Sequence, residues 1–287
     1  MTEIFTAGSL ASHVSRAVER GHRTGALVPI ATDLVVVHEG DLTFPVRILG
    51  HFRKKLHDPI THAPQGNTNP FLPYDPNLFV TGLSETHVCL LNKYPIVEGH
   101  LLMVTRQFEP QDSRLTRQDF DAAWRCLKEI DGVVFYNSGQ VAGASQPHRH
   151  LQLIPTPLEE EAKTLPIARL FAQGLPFRAG YHPIHWTPGG VDAHCIETLY
   201  ERYGRLLVEL GLVPPGDDDG RPEPYNLLMT REFLMVVPRR SECIEGISIN
   251  AMGFMGSLFV RDKAGLDKLL AHGVVRALRD AAGKPVK

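Results

Sequence analysis

The spacing of apolar residues predicts three amphipathic helices. The clearest covers residues 116–132, where apolar positions recur on one face, Thr116 is a suitable N-cap and Gly132 a suitable end. A second helix is expected over residues 192–210, and a third near the N-terminus, over residues 10–18. Each predicted helix has one apolar face to bury.

Short apolar segments between turn residues predict antiparallel strands. A strand pair is expected around a Gly-Asp turn at residues 33–49, and a hairpin at residues 225–240. Four more strand-length segments are present: 78–83, 87–92, 100–105 and 133–137. Residues 51–77, 155–190 and the acidic 214–224 have loop compositions, and 246–262 is a strand or loop rich in small residues. Helices and hairpins together predict an α+β fold.

Size and charge narrow the function classes. The 287 residues suit one large domain or two smaller ones that share a core. A net charge of −2 gives no support for a nucleic-acid or membrane-surface role, and no apolar run approaches the length of a membrane span. The four cysteines are far apart, which argues against a zinc ribbon or a disulfide scaffold and is typical of a cytoplasmic protein.

The segment NSGQVAGASQPHRHLQLIP, residues 137–155, is the strongest candidate for a functional site. If residues 148–154 form a strand, alternate side chains share a face. His148, His150 and Gln152 then point one way, and Leu151 and Leu153 point into the core. Such a face is typical of a site on a rigid sheet.

Three interpretations of the two histidines compete. They can be solvent-exposed residues of an edge strand, because short motifs match easily. They can bind a metal, although an amide is a poor third ligand and no cysteine is near in sequence. One imidazole can also attack an electrophilic phosphorus.

The preceding loop favours the nucleophile. Gly139, Gly143, Ala144 and Ser145 let backbone N–H groups approach an anion, and Ser145 and Gln146 add side-chain donors. A phosphate held there would be fixed while the imidazole attacks it. His100, at the start of a predicted strand, is a candidate third imidazole for the same pocket.

At these residues the chain resembles the histidine-triad superfamily, in which an Asn and a Gly/Ser loop precede H-x-H-x-H. Gln152 in the third position is similar to the transferase branch, H-x-H-x-Q. The blocks NPFLPYDPNLFV, THVCLLNKYPIVEGHLLMVTRQFEPQ, GASQPHRHLQLIP, YNLLMTREFLMVVPRR and ISINAMGFMGSLFV resemble diadenosine tetraphosphate phosphorylases (ATP adenylyltransferases) over residues 45–262. Uridylyltransferases usually carry H-P-H-P-Q, whereas Arg149 and Leu151 stand at the intervening positions here.

The resemblance implies a histidine-triad-like α+β fold of antiparallel sheets with flanking helices, in two pseudo-repeated halves. Residues 1–160 would carry the H-x-H-x-Q motif, and residues 161–287 would complete the nucleotide pocket in one intimately joined unit. Two hairpin segments, 89–106 and 226–240, have the similar patterns expected of such a repeat.

The resemblance also implies roles for individual residues. His150 would be the nucleophile that takes AMP, His148 would orient the loop or the α-phosphate, and Gln152 would donate to a phosphoryl oxygen. The remaining substrate-binding residues would be Lys54 or its neighbour Lys55, Asn92, Lys93, Asn137, Gly143, Ala144, Ser145, Gln146, Asn250, Ala251, Met252, Ser257 and Arg261. No metal ligand and no covalently bound cofactor are implied; Mg²⁺ would enter, if at all, with the nucleotide.

The implied activity is reversible phosphorolysis of diadenosine tetraphosphate to ATP and ADP, by ping-pong transfer of AMP through His150. Its ligands would be diadenosine polyphosphates, ATP, ADP, AMP and phosphate, with neither nucleic acid nor membrane as a partner. The alternatives are nucleotidyl transfer like that of hexose-1-phosphate uridylyltransferases, and a nucleotide-binding regulator without turnover.

Overall fold

The computed structural model describes residues 4, 6–49, 69–156, 167, 171, 174–185, 192–217 and 220–283. Lys54 and Lys55 therefore lie outside the described residues. None of the helices in these ranges combines the length and the hydropathy needed to cross a membrane.

The strands, in chain order, are β1 (Asp33–Glu39), β2 (Leu42–Ile48), β3 (Phe79–Gly82), β4 (His87–Leu91), β5 (Leu101–Thr105), β6 (Gly132–Asn137), β7 (His150–Pro155), β8 (Gly180–Pro183), β9 (Tyr225–Met229), β10 (Phe233–Pro238), β11 (Cys243–Ile244), β12 (Ile247–Ser248) and β13 (Leu258–Val260). The helices are α1 (Leu10–Thr24), α2 (Arg117–Glu129), α3 (Asp192–Glu209), α4 (Ala251–Phe254), α5 (Lys263–His272) and α6 (Val274–Ala282). The predicted α+β class is confirmed.

One eight-stranded sheet dominates the structure, in the order β3-β4-β5-β7-β6-β9-β10-β8. All its neighbouring strands pair antiparallel. The pairing of β6 with β9 continues the sheet from the N-terminal strands into the C-terminal strands. The antiparallel strands expected in the two halves therefore form one continuous sheet.

A smaller sheet packs nearby, in the order β1-β2-β13. The predicted β1–β2 hairpin forms, but β13 joins it parallel to β2, a long-range pairing with no local signal. Residues 246–262, expected to be a strand or loop, divide into β12, α4 and β13.

Two large apolar clusters lie on opposite faces of the main sheet. Leu151 and Leu153 belong to the cluster that includes residues of α1, α2 and α3. Ile154 belongs to the cluster that includes residues of α4, α5, α6 and the smaller sheet. The predicted alternation along β7 is therefore confirmed, and both clusters contain residues from each half of the chain.

Gly132 does not end the helix that precedes it. Helix α2 stops at Glu129, its cap Ile130 is already extended, and Gly132 is the first residue of β6. A Cβ at position 132 would lie 2.5 Å from the carbonyl oxygen of Ile154. Glycine is needed there because the neighbouring strand approaches the backbone closely.

Asp119 forms a buried polar junction that links α2 to the sheet. It completes the capping box with Thr116 and accepts hydrogen bonds from His87 Nε2 at 3.0 Å and Arg149 Nη1 at 3.2 Å. Burial alone would raise the pKa of this carboxyl group, but the His87 hydrogen bond and the Arg149 charge outweigh it and lower the pKa. Arg149, directly before His150, is thus held in the interior by charge pairing.

We expect Asp119→Ala to lower the free energy of unfolding by about 2–4 kcal/mol, because it removes a cap and leaves the buried Arg149 with the partly exposed Glu109 as its remaining ion-pair partner within the described residues. Asp121→Ala is the matched control: its ion pair with Arg125 on the same helix is partly exposed, so the loss should stay below about 1 kcal/mol. Urea denaturation measures both. Equal losses would contradict a central role for Asp119.

Candidate active site

The two histidines and the glutamine lie on or beside the central strand β7. His150 is paired with Val104 on β5, and Gln152 is opposite Leu102 on β5 and Phe135 on β6. Strand β7 begins at His150, so His148 precedes it and forms only an isolated bridge with Pro110. Both histidine side chains are buried, which excludes the solvent-exposed edge-strand interpretation.

The hydrogen bond of His150 leaves one ring nitrogen available. Its Nδ1 lies 2.8 Å from the carbonyl oxygen of His148, so Nδ1 carries the proton and donates it. No group of the described residues hydrogen-bonds to Nε2. Burial lowers the pKa of His150 to about 4, so the ring is neutral near pH 7 and Nε2 has a free lone pair.

His148 carries its proton on the opposite nitrogen. Its Nδ1 accepts from Asn69 Nδ2 at 2.8 Å, and its Nε2 lies 2.9 Å from the carbonyl oxygen of Thr105. The ring of Phe71 packs against both imidazoles, at 5.6 Å from His148 and 5.2 Å from His150. His148 is therefore fixed by its own partners, and its backbone carbonyl orients His150.

His100 and Asn92 are joined to Gln152 by hydrogen bonds. Nε2 of His100 is 3.0 Å from Gln152 Oε1, and its Nδ1 is 3.1 Å from Asn92 Nδ2. Burial lowers the pKa of His100 to about 4. The expected third imidazole is present beside His150 and Gln152, but the side chain of Asn92 contacts His100.

Gln111 clamps the two central strands and was not identified from the sequence. Its Oε1 accepts from the backbone N–H of His150 at 2.8 Å, and its Nε2 donates to the carbonyl oxygens of Asn137 and His150 at 3.0 and 3.1 Å. The residue is buried. Because all its partners are distant in sequence, no local pattern could have revealed it.

The loop between β6 and β7 depends on two glycines. Gly139 and Gly143 have φ values of 76° and 91°, a region that other residues rarely adopt. A Cβ at Gly139 would lie 2.9 Å from Asp112 Cβ, and one at Gly143 2.9 Å from Asn250 Cβ. The loop therefore packs closely against Asn250 from the C-terminal half.

Asn137 joins this loop to the second half of the chain. Its Oδ1 accepts from Asn226 Nδ2 at 2.8 Å and from the backbone N–H of Ala251 at 3.0 Å. Nδ2 of Asn137 makes no hydrogen bond within the described residues. Asn226 also donates to the carbonyl oxygen of Ala142. Asn137 and Ala251, which were both predicted to bind substrate, are therefore in direct contact.

Arg239 supports the same loop and was also missed from the sequence. Nη1 donates to the carbonyl oxygen of Ala142 at 3.1 Å and to Asn226 Oδ1 at 2.7 Å. The guanidinium is buried over the ring of Phe254. Within the described ranges no carboxylate oxygen forms an ion pair with it, and burial lowers its pKa to about 10.

The other predicted substrate-binding residues differ in their surroundings. Lys93 is exposed, with its ammonium 5.5 Å from the Tyr94 ring centroid, and Arg261 is exposed. Ser257 is buried, and Met252 is buried in α4. Ala144, Ser145 and Gln146 follow Gly143 and are at least partly exposed. No hydrogen bond or ring contact within the described residues links Lys93, Ser257 or Arg261 to the histidines.

The arrangement suits nucleophilic attack on an anionic phosphorus. A neutral imidazole presents a free Nε2 beside a glycine loop in which the N–H groups of Ser145 and Gln146 form no backbone hydrogen bond within the described residues and can donate to phosphate oxygens. Within the described ranges, no group of three or more His, Cys, Asp and Glu residues is placed to hold a metal ion.

Comparison with known proteins identifies the family of the chain. Residues 1–173 match the family model of the Ap4A phosphorylase N-terminal domain, and residues 173–284 match that of the ATP adenylyltransferase C-terminal domain. Diadenosine 5',5'''-P1,P4-tetraphosphate phosphorylase 2 of Saccharomyces cerevisiae is 29% identical over 272 residues, which cover 75% of this chain and 82% of that protein. The bis(5'-adenosyl)-triphosphatase of Dictyostelium discoideum is 28% identical over 97 residues, which cover 30% of this chain and 64% of that protein.

Solved structures share the fold. The crystal structure of yeast Ap4A phosphorylase Apa2 matches over 100% of both chains with a TM-score of 0.78 and 22% identity. The structures of Apa2 in complex with AMP and with Ap4A match over the same extent, with TM-scores of 0.74 and 0.76 and identities of 24% and 22%. Because the two family models together span residues 1–284, the chain belongs to the Ap4A phosphorylase (ATP adenylyltransferase) family of nucleotidyltransferases.

Proposed function

We propose that the protein phosphorolyses diadenosine tetraphosphate (Ap4A) to ATP and ADP through an adenylyl intermediate on His150. The observation that carries the proposal is the hydrogen bond from His150 Nδ1 to the His148 carbonyl oxygen, which directs the unprotonated Nε2 away from its own backbone. The family of the chain and the Ap4A named for its structural relative support the choice of substrate.

Two displacements at phosphorus complete the reaction. Nε2 of His150 attacks an α-phosphorus, a P–N bond forms, and the P–O bond to the outgoing phosphate breaks to release ATP. Inorganic phosphate then attacks the adenylyl-histidine, the P–N bond breaks, and ADP leaves. The proton on Nδ1 stays in place, and the His148 carbonyl stabilises the positive charge that the ring gains.

The loop and its neighbours would hold the phosphates. The backbone N–H groups of Ser145 and Gln146, the free Nδ2 of Asn137 and the amide of Gln152 would meet the reacting phosphoryl group. The N–H groups of Gly143 and Ala144 donate to the carbonyl oxygens of Gln140 and Gly139 and keep the loop closed. Lys54 and Lys93 would act on the outer phosphates, and Asn250, Ser257 and Arg261 on the distal phosphate or nucleoside. Mg²⁺ would enter only with the polyphosphate.

Glutamine in place of a third histidine favours transfer over hydrolysis. An amide can donate to a phosphoryl oxygen but cannot accept a proton from water. A polyphosphate leaving group needs little help from an acid, so the site can omit a proton carrier. The adenylyl intermediate is then hydrolysed slowly enough to persist until phosphate attacks it.

We expect ping-pong kinetics, with parallel double-reciprocal lines when Ap4A and phosphate are varied. Labelled substrate should leave acid-labile, base-stable AMP on the wild-type protein and none on His150→Ala, because His150 alone among the three described imidazoles of the site has an unprotonated Nε2. His38→Ala, on the exposed face of β1, is the control and should label normally. Labelling by UTP or UDP-glucose in preference to ATP would instead favour the uridylyltransferase alternative, and nucleotide binding without labelling would favour the regulator.

The pH dependence of adenylylation should reflect the lowered pKa of His150. A lowered pKa keeps the imidazole unprotonated down to about pH 4, so the rate should remain flat from about pH 8 to about pH 5. Single-turnover kcat/KM with Ap4A is the suitable measurement, since this substrate has no terminal phosphate monoester that ionises in the range. An acid limb near the ordinary histidine pKa of about 6.5 would contradict a buried nucleophile.

Gln152→His tests the role of the amide, because it adds a proton carrier at the same position. The isolated adenylyl-enzyme should release AMP faster in phosphate-free buffer, and the ratio of AMP to ADP should rise at fixed phosphate. Gln152→Ala is the matched control, which removes the amide without adding a base and should slow both reactions. Unchanged or slower decay in Gln152→His would defeat the explanation.

A further inference from the structure

We propose that Asn92 and His100 are positioning residues that fix the direction of the Gln152 amide, so that its NH2 group and not its oxygen faces the reacting phosphoryl group. The inference rests on the proposed function, which places that phosphoryl group beside Gln152. It assigns Asn92 to the orientation of a side chain and not to direct contact with the nucleotide.

The chain of hydrogen bonds begins at the backbone of the β4–β5 connection. Asn92 Oδ1 accepts from the backbone N–H of Tyr94 at 3.0 Å, which assigns the oxygen end of this amide. The remaining end, Nδ2, is a donor and lies 3.1 Å from His100 Nδ1. The backbone bond from Asn92 N–H to the His100 carbonyl oxygen, at 2.9 Å, keeps the two residues side by side.

The hydrogen bonds of His100 extend the same donor–acceptor order to Gln152 on β7. Since Nδ1 accepts a hydrogen bond, the single proton of the neutral ring lies on Nε2. Nε2 is 3.0 Å from Gln152 Oε1 and donates to it. Burial keeps the ring neutral, in agreement with the pKa lowered to about 4. A neutral ring has one donor nitrogen and one acceptor nitrogen. If the partner of Nδ1 changes from a donor to an acceptor, Nδ1 must carry the proton and Nε2 can then only accept.

Gln152 is the last residue in this series of hydrogen bonds. Its Oε1 is occupied by His100, so the amide NH2 points elsewhere, and no group of the described residues accepts from it. The side chain is only partly buried and shares a strand face with His150. An amide turned by 180° would present its oxygen to a phosphoryl oxygen and repel it. The two orientations of the Gln152 amide therefore differ by one hydrogen bond to the charged phosphoryl group.

His148 is held by the same arrangement. Asn69 Oδ1 accepts from the backbone N–H of Phe71 at 2.9 Å, and Asn69 Nδ2 donates to His148 Nδ1. Each asparagine accepts from the residue two positions ahead and donates to an imidazole. His148 Nε2 hydrogen-bonds to Thr105, which is not on the strand face of His150 and Gln152. A substitution of Asn69 is therefore a control for the same substitution of Asn92.

Asn92→Asp should reverse the donor–acceptor order of these hydrogen bonds, because aspartate has nearly the same shape as asparagine but offers only acceptors. The aspartate can still accept from Tyr94 N–H, but it places an acceptor opposite His100 Nδ1. At about pH 9, where the ring is neutral, the proton should move to Nδ1 and Gln152 should turn its oxygen toward the phosphoryl group. We expect adenylylation to slow by about tenfold to a hundredfold, the effect of losing one hydrogen bond to a charged group, with little change in the KM for Ap4A.

Nitrogen-15 NMR of the histidine rings, with single-turnover adenylylation, tests the proposal on the full chain. The wild type should show His100 protonated at Nε2, Asn92→Asp should show it protonated at Nδ1, and Asn69→Asp should leave the His100 signals unchanged. His100→Gln in the Asn92→Asp background should restore most of the rate, because a glutamine amide can donate to Gln152 whatever residue 92 is. An electrostatic effect of the new carboxylate would persist in that double variant.

Three results would overturn the proposal: a wild-type His100 protonated at Nδ1, a tautomer unchanged in Asn92→Asp, or a switched tautomer with an unchanged rate. A rate that stays low in the double variant would assign the loss to charge and would also overturn it. Failure of the proposed function is separate, because it appears as a wild-type protein that forms no adenylyl-enzyme, while the ring tautomers are still measured.

Discussion

The antiparallel pairing of β6 with β9 is the interaction on which the rest of the structure depends. It places Asn137 opposite Asn226, so the last residue of β6 meets the second half of the chain where the glycine loop begins. Asn226 and Arg239 then bind the Ala142 carbonyl oxygen, and Asn137 binds the first turn of α4. Without this pairing the loop would lose its contacts with the second half of the chain.

Burial and hydrogen bonding together determine the state of each imidazole. Desolvation lowers the pKa of all three rings, and the partners of each ring then select its tautomer. His100 and His148 accept at Nδ1 from an asparagine, whereas His150 donates from Nδ1 to a backbone carbonyl. His150 therefore differs from the other two in presenting its unprotonated Nε2.

Local patterns in the sequence predicted the parts of the site that depend on local geometry. Alternation along residues 148–154 predicted that Leu151 and Leu153 face one core while the histidines face the other side, and Thr116 was correctly identified as a cap. The glycines of the loop were predicted to let its backbone approach an anion; the contact of Gly143 with Asn250 was not predicted.

Long-range contacts could not be predicted in this way. Gln111 and Arg239 act through partners far away in sequence, and the parallel pairing of β13 with β2 joins segments more than 200 residues apart. The C-terminal helices α5 and α6 were not predicted, although α6 has a local signal. Buried residues of α6 fall at helical spacing: Val274, Ala277, Leu278 and Ala281.

The buried guanidinium of Arg239 has a consequence for the resting protein. Its hydrogen bonds go to backbone carbonyls and the Asn226 amide, it lies over the ring of Phe254, and the charge of Glu242 favours its protonated form without an ion pair. Dipoles offset part of the cost of dehydrating a cation, and a polyanion close to the loop would offset more of it. The fixed position of the loop therefore costs part of the stability of the folded protein.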